Sequence, residues 1–127
     1  MASRMFKQIQ TLGHGIVVIA GSFAPNGTGA VAATSNKGMG WTVARTSTGL
    51  FTITFADEYV DMHSATATLQ LATGSDKYIQ IGTYTAASKT LEIRVWDASD
   101  AAVVDVAADA NNRVNFIVFF KNSGVTN

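Results

Sequence analysis

The strict two-residue alternation between Trp41 and Phe55 constrains the fold of this chain more than any other sequence feature. In the run WTVARTSTGLFTITF, large side chains recur at every second position on both sides of the stretch Thr-Ser-Thr-Gly. Successive side chains of a strand point to opposite faces, so this period is that of a strand with one buried face. The glycine suits the positive φ that short hairpin loops commonly need. The run therefore predicts two antiparallel strands joined by a turn.

The same alternation recurs along the chain at the spacing of an all-β domain. Strands are predicted at residues 16–23, 41–46, 50–55, 63–72, 78–86, 90–97 and 113–121. The Ala-rich stretch at 98–112 fits either a short helix or a short strand. Such a series, of about seven or eight strands, predicts a single-domain antiparallel β-sandwich or barrel, jelly-roll-like, with an N-terminal arm.

The alternation also predicts which side chains face the core. The inward positions are Ala65, Ala67, Leu69, Leu71, Leu91, Ile93, Val95, Val114, Phe116, Val118 and Phe120. Ile117 and Phe119 make the last strand apolar on its other face as well. A strand of this kind is expected to be covered on both sides, by a second layer or by a neighbouring subunit. Trp41 is predicted to close one end of the core.

The domain organisation follows from length and from the distribution of glycine and proline. A chain of 127 residues fits one domain. Residues 1–14 have a mixed pattern and are predicted to be an N-terminal arm, and residues 15–127 a single β-rich domain. Within it, residues 24–40 contain the only proline and several glycines, so they are predicted to be a long loop and a first place for a partner contact.

The scarcity of charge indicates a surface that other protein covers. Charged residues make up 14% of the chain, against about 25% in typical soluble domains. Nine basic residues balance nine acidic ones, so no net field attracts nucleic acid. Because charged residues are depleted at the cores of interfaces, we expect self-association; the alternative is a neutral, threonine-rich β-protein that is monomeric. Neither a disulfide framework nor a thiolate metal site is possible, since the chain has no cysteine.

The sequence predicts no catalytic, cofactor-binding or metal-binding residue. Asp97, Asp100, Asp105 and Asp109 form the most metal-like cluster, but their spacing lacks the regular ligand positions of a calcium loop. We therefore expect these aspartates to be solvated loop carboxylates or turn caps. The two histidines are too few for a zinc site without several carboxylate ligands. No nucleophile or phosphate-binding motif is present.

Aromatic and arginine side chains on predicted strands are candidates for contacts with other proteins. Tyr78, Tyr84 and Trp96 are predicted to face outward and to form cross-strand pairs. Three arginines, Arg45, Arg94 and Arg113, lie on predicted strands. Arginine is enriched at interfaces, although a solvated position is an equally good interpretation for each of them. The complete set of predicted interface residues is Met5, Phe6, Ile9, Asn26, Arg45, Arg94, Trp96, Arg113 and Phe119.

Several runs resemble a group of small proteins encoded among the virion structural genes of tailed bacteriophages. These runs are GWTVARTSTGLFTITFADEY, ATLQLATGSDKYIQIG and LEIRVWDASDAAVVDVAADANNRVNFIVFFKNS. The resemblance covers residues 38–123, and residues 1–37 carry less of it. Its pattern is one of strands and turns and includes no catalytic motif.

The group is similar to capsid decoration, or cement, proteins. The resemblance implies a non-enzymatic, β-rich subunit without cofactors, often trimeric, that lies over junctions between major capsid proteins and stabilises the expanded head. Its partners would be sister copies and the major capsid protein, with no nucleic acid and no membrane. It would be made in the host cytoplasm and located on the virion. The alternatives are a tail- or fibre-associated protein, or a glycan-binding module in host attachment that uses Trp96 and Tyr84.

Overall fold

The computed structural model describes residues 15–121, which form eight strands and one 3₁₀ turn. In chain order these are β1 (Ile16–Phe23), the 3₁₀ turn (Ala33–Ser35), β2 (Trp41–Ser47), β3 (Leu50–Phe55), β4 (Asp61–Gln70), β5 (Lys77–Thr85), β6 (Thr90–Asp97), β7 (Ala102–Val103) and β8 (Arg113–Lys121). Every predicted strand is present, with bounds within two residues of the sequence pattern. The predicted arm at 1–14 lies outside the described residues.

The strands form two antiparallel sheets that enclose one core. The smaller sheet has the order β1–β8–β4, and the larger has the order β2–β3–β6–β5 with β7 also paired to β6. The first strand pairs with the last along its whole length, from Ile16 opposite Lys121 to Phe23 opposite Val114. The larger sheet contains three antiparallel pairings of consecutive strands, β2–β3, β5–β6 and β6–β7. The predicted antiparallel β-sandwich is confirmed.

The hydrophobic core lies between the sheets and is built from the inward positions that the alternation predicts. Buried and partly exposed residues alternate along β3, β6 and β8. The buried positions of these strands are Phe51, Ile53, Phe55, Leu91, Ile93, Val95, Val114, Phe116, Val118 and Phe120. Each such side chain contributes about 1.5–3 kcal/mol by leaving water. The predicted inward residues of β4 pack against this cluster and are partly buried.

Trp41 is buried, with 7% of its surface exposed, as the sequence predicts. Its ring meets Phe116 edge-on, with centroids 4.8 Å apart. The indole also lies against the backbone of Gly21, and a Cβ atom added there would overlap the ring. Glycine in β1 therefore lets the two sheets approach closely at this point.

The position of Tyr84 corrects one prediction. In the β5–β6 pairing, Ile81 lies opposite Ile93 and Tyr84 lies opposite Leu91. Three steps along β5 thus match two along β6, which means that β5 contains a β-bulge. The extra residue reverses the alternation, so Tyr84 points into the sandwich, where it packs against the core, and not outward.

Tyr84 belongs to an aromatic cluster in the core. The rings of Tyr59 and Phe120 are stacked, with centroids 4.4 Å apart, and Tyr84 lies 5.1 Å from Phe120. The Tyr84 hydroxyl donates to the carbonyl of Tyr59 at 3.0 Å and accepts from its N–H at 3.3 Å. Burial is the main cause that raises the pKa of both tyrosines. The cluster therefore ties the loop before β4 to the core.

The long loop at 24–40 is bonded to the smaller sheet. Ser22 and Lys37 exchange two backbone hydrogen bonds, at 2.9 and 2.7 Å. The Arg113 side chain donates to the Ser35 carbonyl at 2.6 Å. These contacts hold the loop across one end of β1 and β8.

The Ala-rich stretch at 98–112 forms a short strand, one of the two alternatives that its sequence left open. The strand β7 has two residues, and Val103 lies opposite Trp96 of β6. One further backbone bond, from Val104 to Val95, continues the pairing. The rest of the stretch is irregular until β8 begins.

Candidate interaction surfaces

The outer face of the larger sheet, called the threonine face below, presents threonines in a row across four strands. The strand register aligns Thr42, Thr54, Thr90 and Thr85. Next to this row, the hydroxyl oxygens of Thr46 and Thr52 lie 2.7 Å apart and share a hydrogen bond. Threonine carries a methyl group and a hydroxyl, so this face offers apolar contacts and hydrogen bonds without charge.

The threonine face carries one pair of opposite charges. Among the outward positions of β2, β3, β5 and β6, the charged residues are Glu92 and Arg94, which form an ion pair with each other. Most other charged residues of the described chain lie in loops or at strand ends: Lys37, Asp57, Glu58, Asp61, Asp76, Lys77, Lys89, Asp97, Asp100, Asp109 and Lys121. Charge is therefore concentrated around the rim of the sandwich and nearly absent from this sheet face.

The outer face of the smaller sheet carries an apolar patch, defined as Val18, Ala20, Ile117 and Phe119. Across β1 and β8, Val18 lies opposite Phe119 and Ala20 lies opposite Ile117. On the other side of β8, small polar residues of β4 continue both rows. The expectation that β8 is apolar on both faces is thus confirmed. The cover over its outer face stays a prediction.

Arg45, a predicted interface residue, forms an ion pair within the chain. Its guanidinium donates two hydrogen bonds to the Asp105 carboxylate, at 2.9 and 2.8 Å. The N–H of Gly49 donates to the same carboxylate at 2.9 Å. The bonds from Arg45, followed by the bond from Gly49, lower the pKa of Asp105. The expectation that Asp105 is a solvated loop carboxylate is wrong, because this ion pair fastens the segment after β7 to the β2–β3 hairpin.

The other two predicted interface arginines also have partners in the chain. Arg113 donates to the Ser22 hydroxyl at 2.7 Å and to the Ser35 carbonyl. Arg94 pairs with Glu92 on the threonine face. Contact between any of these arginines and another subunit stays a prediction.

Tyr78 and Trp96 form a cross-strand pair on the threonine face, as the sequence predicts. Tyr78 is 43% exposed, whereas Trp96 is partly buried. The indole N–H of Trp96 has no hydrogen-bond partner among the described residues. With Tyr84 turned inward, this pair is what remains of the predicted outward aromatic group.

Two of the loop carboxylates act as turn caps, which agrees with the sequence-based expectation. Asp97 accepts hydrogen bonds from the hydroxyl and N–H of Ser99, at 2.6 and 3.0 Å. The bond from the hydroxyl is the main cause that lowers the pKa of Asp97. Asp109 accepts from the N–H of Asn111 at 2.8 Å. Between residues 15 and 121, no three histidine or acidic side chains are grouped so that they could hold a metal ion.

Two open hollows lie among the loops. One, of about 310 Å³, is lined by the β4–β5 turn and the residues before β8, including Lys77 and Asp109. The other, of about 430 Å³, is lined by the long loop, including Pro25 and Asn26. Asn26, a predicted interface residue, is exposed, and its side-chain amide donates to the Ala30 carbonyl at 3.1 Å.

Some predicted residues lie outside the described part of the chain, and two exposed apolar residues, Met39 and Val60, were missed. Met5, Phe6 and Ile9 lie outside the described residues. Phe119 lies in the apolar patch. Sequence reasoning missed Met39, which is 89% exposed in the long loop. The sequence did indicate this exposure, because Met39 is a single large apolar residue between two glycines and has no adjacent side chain to cover it.

Comparisons with known proteins give no relative from which a function can be transferred. No family model, curated protein or solved structure matches this chain. Within residues 15–121, no helix has the length and apolar character that crossing a membrane requires. The function is therefore argued from the surfaces described above.

Proposed function

We propose that this chain is a non-enzymatic structural subunit of a virion, specifically a capsid decoration protein. In this role it forms a homo-oligomer, a trimer, over the junctions between major capsid proteins on the outside of the head. It stabilises the shell by binding sister copies and the shell lattice at many equivalent positions. The resemblance to phage virion proteins implies this role, and the surfaces of the sandwich support it.

The observation that carries the proposal is the separation of charge from the sheet faces. The threonine face has one neutralised ion pair, and the apolar patch has no charge at its four positions. Charged side chains are costly at the centre of an interface, because they lose water there without a guaranteed partner. A monomeric domain in water gains nothing when its charged residues are confined to the rim of the sandwich. Such faces suit contact with protein.

The size of the threonine face indicates weak single contacts and a multivalent assembly. The strand β2 spans seven residues, and four strands lie side by side in the larger sheet. At about 3.4 Å per residue and about 4.8 Å between strands, the face covers roughly 450 Å². A standard interface buries about 800 Å² per partner. Several such contacts made together on a lattice raise the affinity by about 10²–10⁴.

Binding to emptied, expanded phage heads tests this function. We expect the wild-type chain to pellet with the heads at saturable stoichiometry. Thr54→Lys places a charge in the exposed threonine row, so we expect it to weaken both self-association and head binding, the latter about 100-fold through lost multivalency. Thr73→Lys is the matched control, because Thr73 is exposed in a turn. No saturable pelleting of the wild-type chain, or equal loss in both variants, contradicts the proposal.

The glycan-binding alternative now depends on Tyr78 and Trp96, and no longer on Tyr84. An exposed aromatic ring on a flat sheet, next to the amide of Gln80, has the chemistry to stack on a sugar ring and bond its hydroxyls. A glycan array separates this function from the decoration role. Specific sugar binding that Tyr78→Ala abolishes and Thr42→Ala preserves would favour the alternative.

A further inference from the structure

The long loop contains the only Asn-Gly pair of the sequence, at Asn26 and Gly27. An asparagine before a glycine is prone to deamidation, in which the peptide nitrogen of the glycine attacks the side-chain amide of the asparagine. Glycine has no side chain to shield that nitrogen. Asn26 is exposed, and a Cβ atom added to Gly27 would lie in open space. Packing around the pair therefore does not prevent the attack.

Hydrogen bonds, in contrast, hold both of the groups that must react. The nucleophile is the Gly27 nitrogen, whose N–H donates to the carbonyl of Val106 at 2.9 Å. The leaving group is the side-chain amide nitrogen of Asn26, which donates to the Ala30 carbonyl at 3.1 Å. A nitrogen whose proton is held in a hydrogen bond cannot attack. The bond from Gly27 to Val106 must therefore open before the reaction begins.

We propose that Asn26 is a deamidation site and that opening of the long loop controls its reaction. In the open loop, the Gly27 nitrogen gives its proton to the solvent and forms a bond with Cγ of Asn26. The bond between Cγ and the side-chain nitrogen breaks, and ammonia leaves. Water then opens the resulting ring at either of its two C–N bonds to the former Gly27 nitrogen. The product is aspartate or isoaspartate, and the net change consumes one water and releases one ammonia.

The opening is opposed by further bonds that hold the loop. The Arg113 side chain donates to the Ser22 hydroxyl and to the Ser35 carbonyl. The Ser35 hydroxyl accepts from the N–H of Ala24 at 3.2 Å and donates to the carbonyl of Ala32 at 2.8 Å. These bonds lie on both sides of the Asn-Gly pair in the chain, so weakening them favours local opening at the pair.

Deamidation changes both the charge and the hydrogen bonding of the loop. A carboxylate accepts hydrogen bonds but donates none, so the bond from residue 26 to the Ala30 carbonyl is lost. The new negative charge lies at the hollow that Asp109 also lines. The reaction thus adds charge to a loop that the sequence marks as a place for a partner contact. This proposal concerns one chain and does not depend on the decoration role.

Deamidation and amide hydrogen exchange, measured on the same full chain at mildly alkaline pH, test the proposal. Both reactions need the Gly27 N–H to leave Val106, so one opening equilibrium slows both. Peptide mapping by mass spectrometry gives the conversion rate at Asn26 in the folded chain and in urea. We expect conversion to be at least about tenfold slower in the folded chain. This factor should match the protection of the Gly27 N–H against exchange within about threefold.

Ser35→Ala is the test variant, because it removes both hydroxyl bonds within the loop. We expect it to raise the conversion rate in the folded chain about fivefold. Ser88→Ala is the matched control, since the Ser88 hydroxyl also forms bonds within a turn, to Thr85 and Thr90 in the larger sheet. It should leave the folded rate unchanged. In urea, all three proteins should react equally fast, because the loop is open in each.

Each outcome supports or overturns the proposal. Equal rates in the folded and the unfolded wild-type chain overturn the control by loop opening, and no conversion at Asn26 in urea overturns the site itself. Slow conversion while the Gly27 N–H exchanges freely also overturns the control. So does a wild-type rate in Ser35→Ala that circular dichroism shows to be folded. None of these measurements involves self-association or head binding, so the failure of this proposal is distinct from the failure of the decoration role.

Discussion

Tyr84→Phe tests whether the β5 bulge turns this side chain inward. The substitution keeps the ring that packs near Phe120 and removes the hydroxyl that bonds both the N–H and the carbonyl of Tyr59. Tyr59 is buried, so its freed backbone groups gain little from water. A net hydrogen bond contributes about 1 kcal/mol. We therefore expect the free energy of unfolding to fall by about 1–2 kcal/mol.

Urea and thermal unfolding, followed by circular dichroism, measure this change. A loss of this size lowers the Tm by about 3–8 °C in a domain of this length, and the urea m-value should not change. Tyr78→Phe is the matched control, because Tyr78 is exposed on the threonine face. It should shift the free energy of unfolding by less than about 0.5 kcal/mol. Equal, small effects in both variants would refute the inward position of Tyr84 and the bulge that causes it.

Three further predictions concern the core and the ion pair. Phe120→Ala removes a fully buried ring and should lower the free energy of unfolding by about 3–5 kcal/mol in urea titrations. Gly21→Ala places a methyl group against the Trp41 indole, so overpacking should cost about 1–3 kcal/mol and alter the near-ultraviolet circular dichroism; a neutral result would mean that the sheets do not approach closely there. The pKa of Asp105 is lower in the folded chain than its ordinary value, so its stabilising contribution is present above the unfolded pKa and is lost as the pH falls through the folded pKa. As the pH is lowered from about 5 to 2, the urea midpoint of unfolding should therefore fall less in Asp105→Asn than in the wild type. If the midpoints of the two proteins fall in parallel with pH, the ion pair is contradicted.

The sequence predicted the strands because each buries one face and leaves the other outside. This arrangement produces a two-residue period in β3, β6 and β8, and the inward residues predicted for β6 and β8 are buried. The bulge in β5 broke the same rule, since one extra residue reverses the period. A signal for it existed in Gly82, which lies between Ile81 and Tyr84, because glycine inside a strand often marks a bulge.

The contacts between distant segments could not be predicted in the same way. Arg45 and Asp105 are 60 residues apart, and nothing in the local sequence of either residue indicates the other. The same holds for the bonds from Arg113 to Ser22 and Ser35. The small number of charged residues was visible in the composition. The confinement of these residues to the rim depends on the register of the strands and was not visible there. For this reason, the threonine face emerges only when the sheet is assembled.

The mass of the chain in solution tests the central claim most directly, because that claim is contact between copies through uncharged sheet faces. Light scattering across a range of protein concentrations should give the wild-type chain a mass that rises with concentration from 13.4 kDa toward three times that value. Thr54→Lys should give a lower mass, and Thr73→Lys the wild-type mass. A wild-type chain that stays at 13.4 kDa at every concentration and does not pellet with expanded heads would contradict the account.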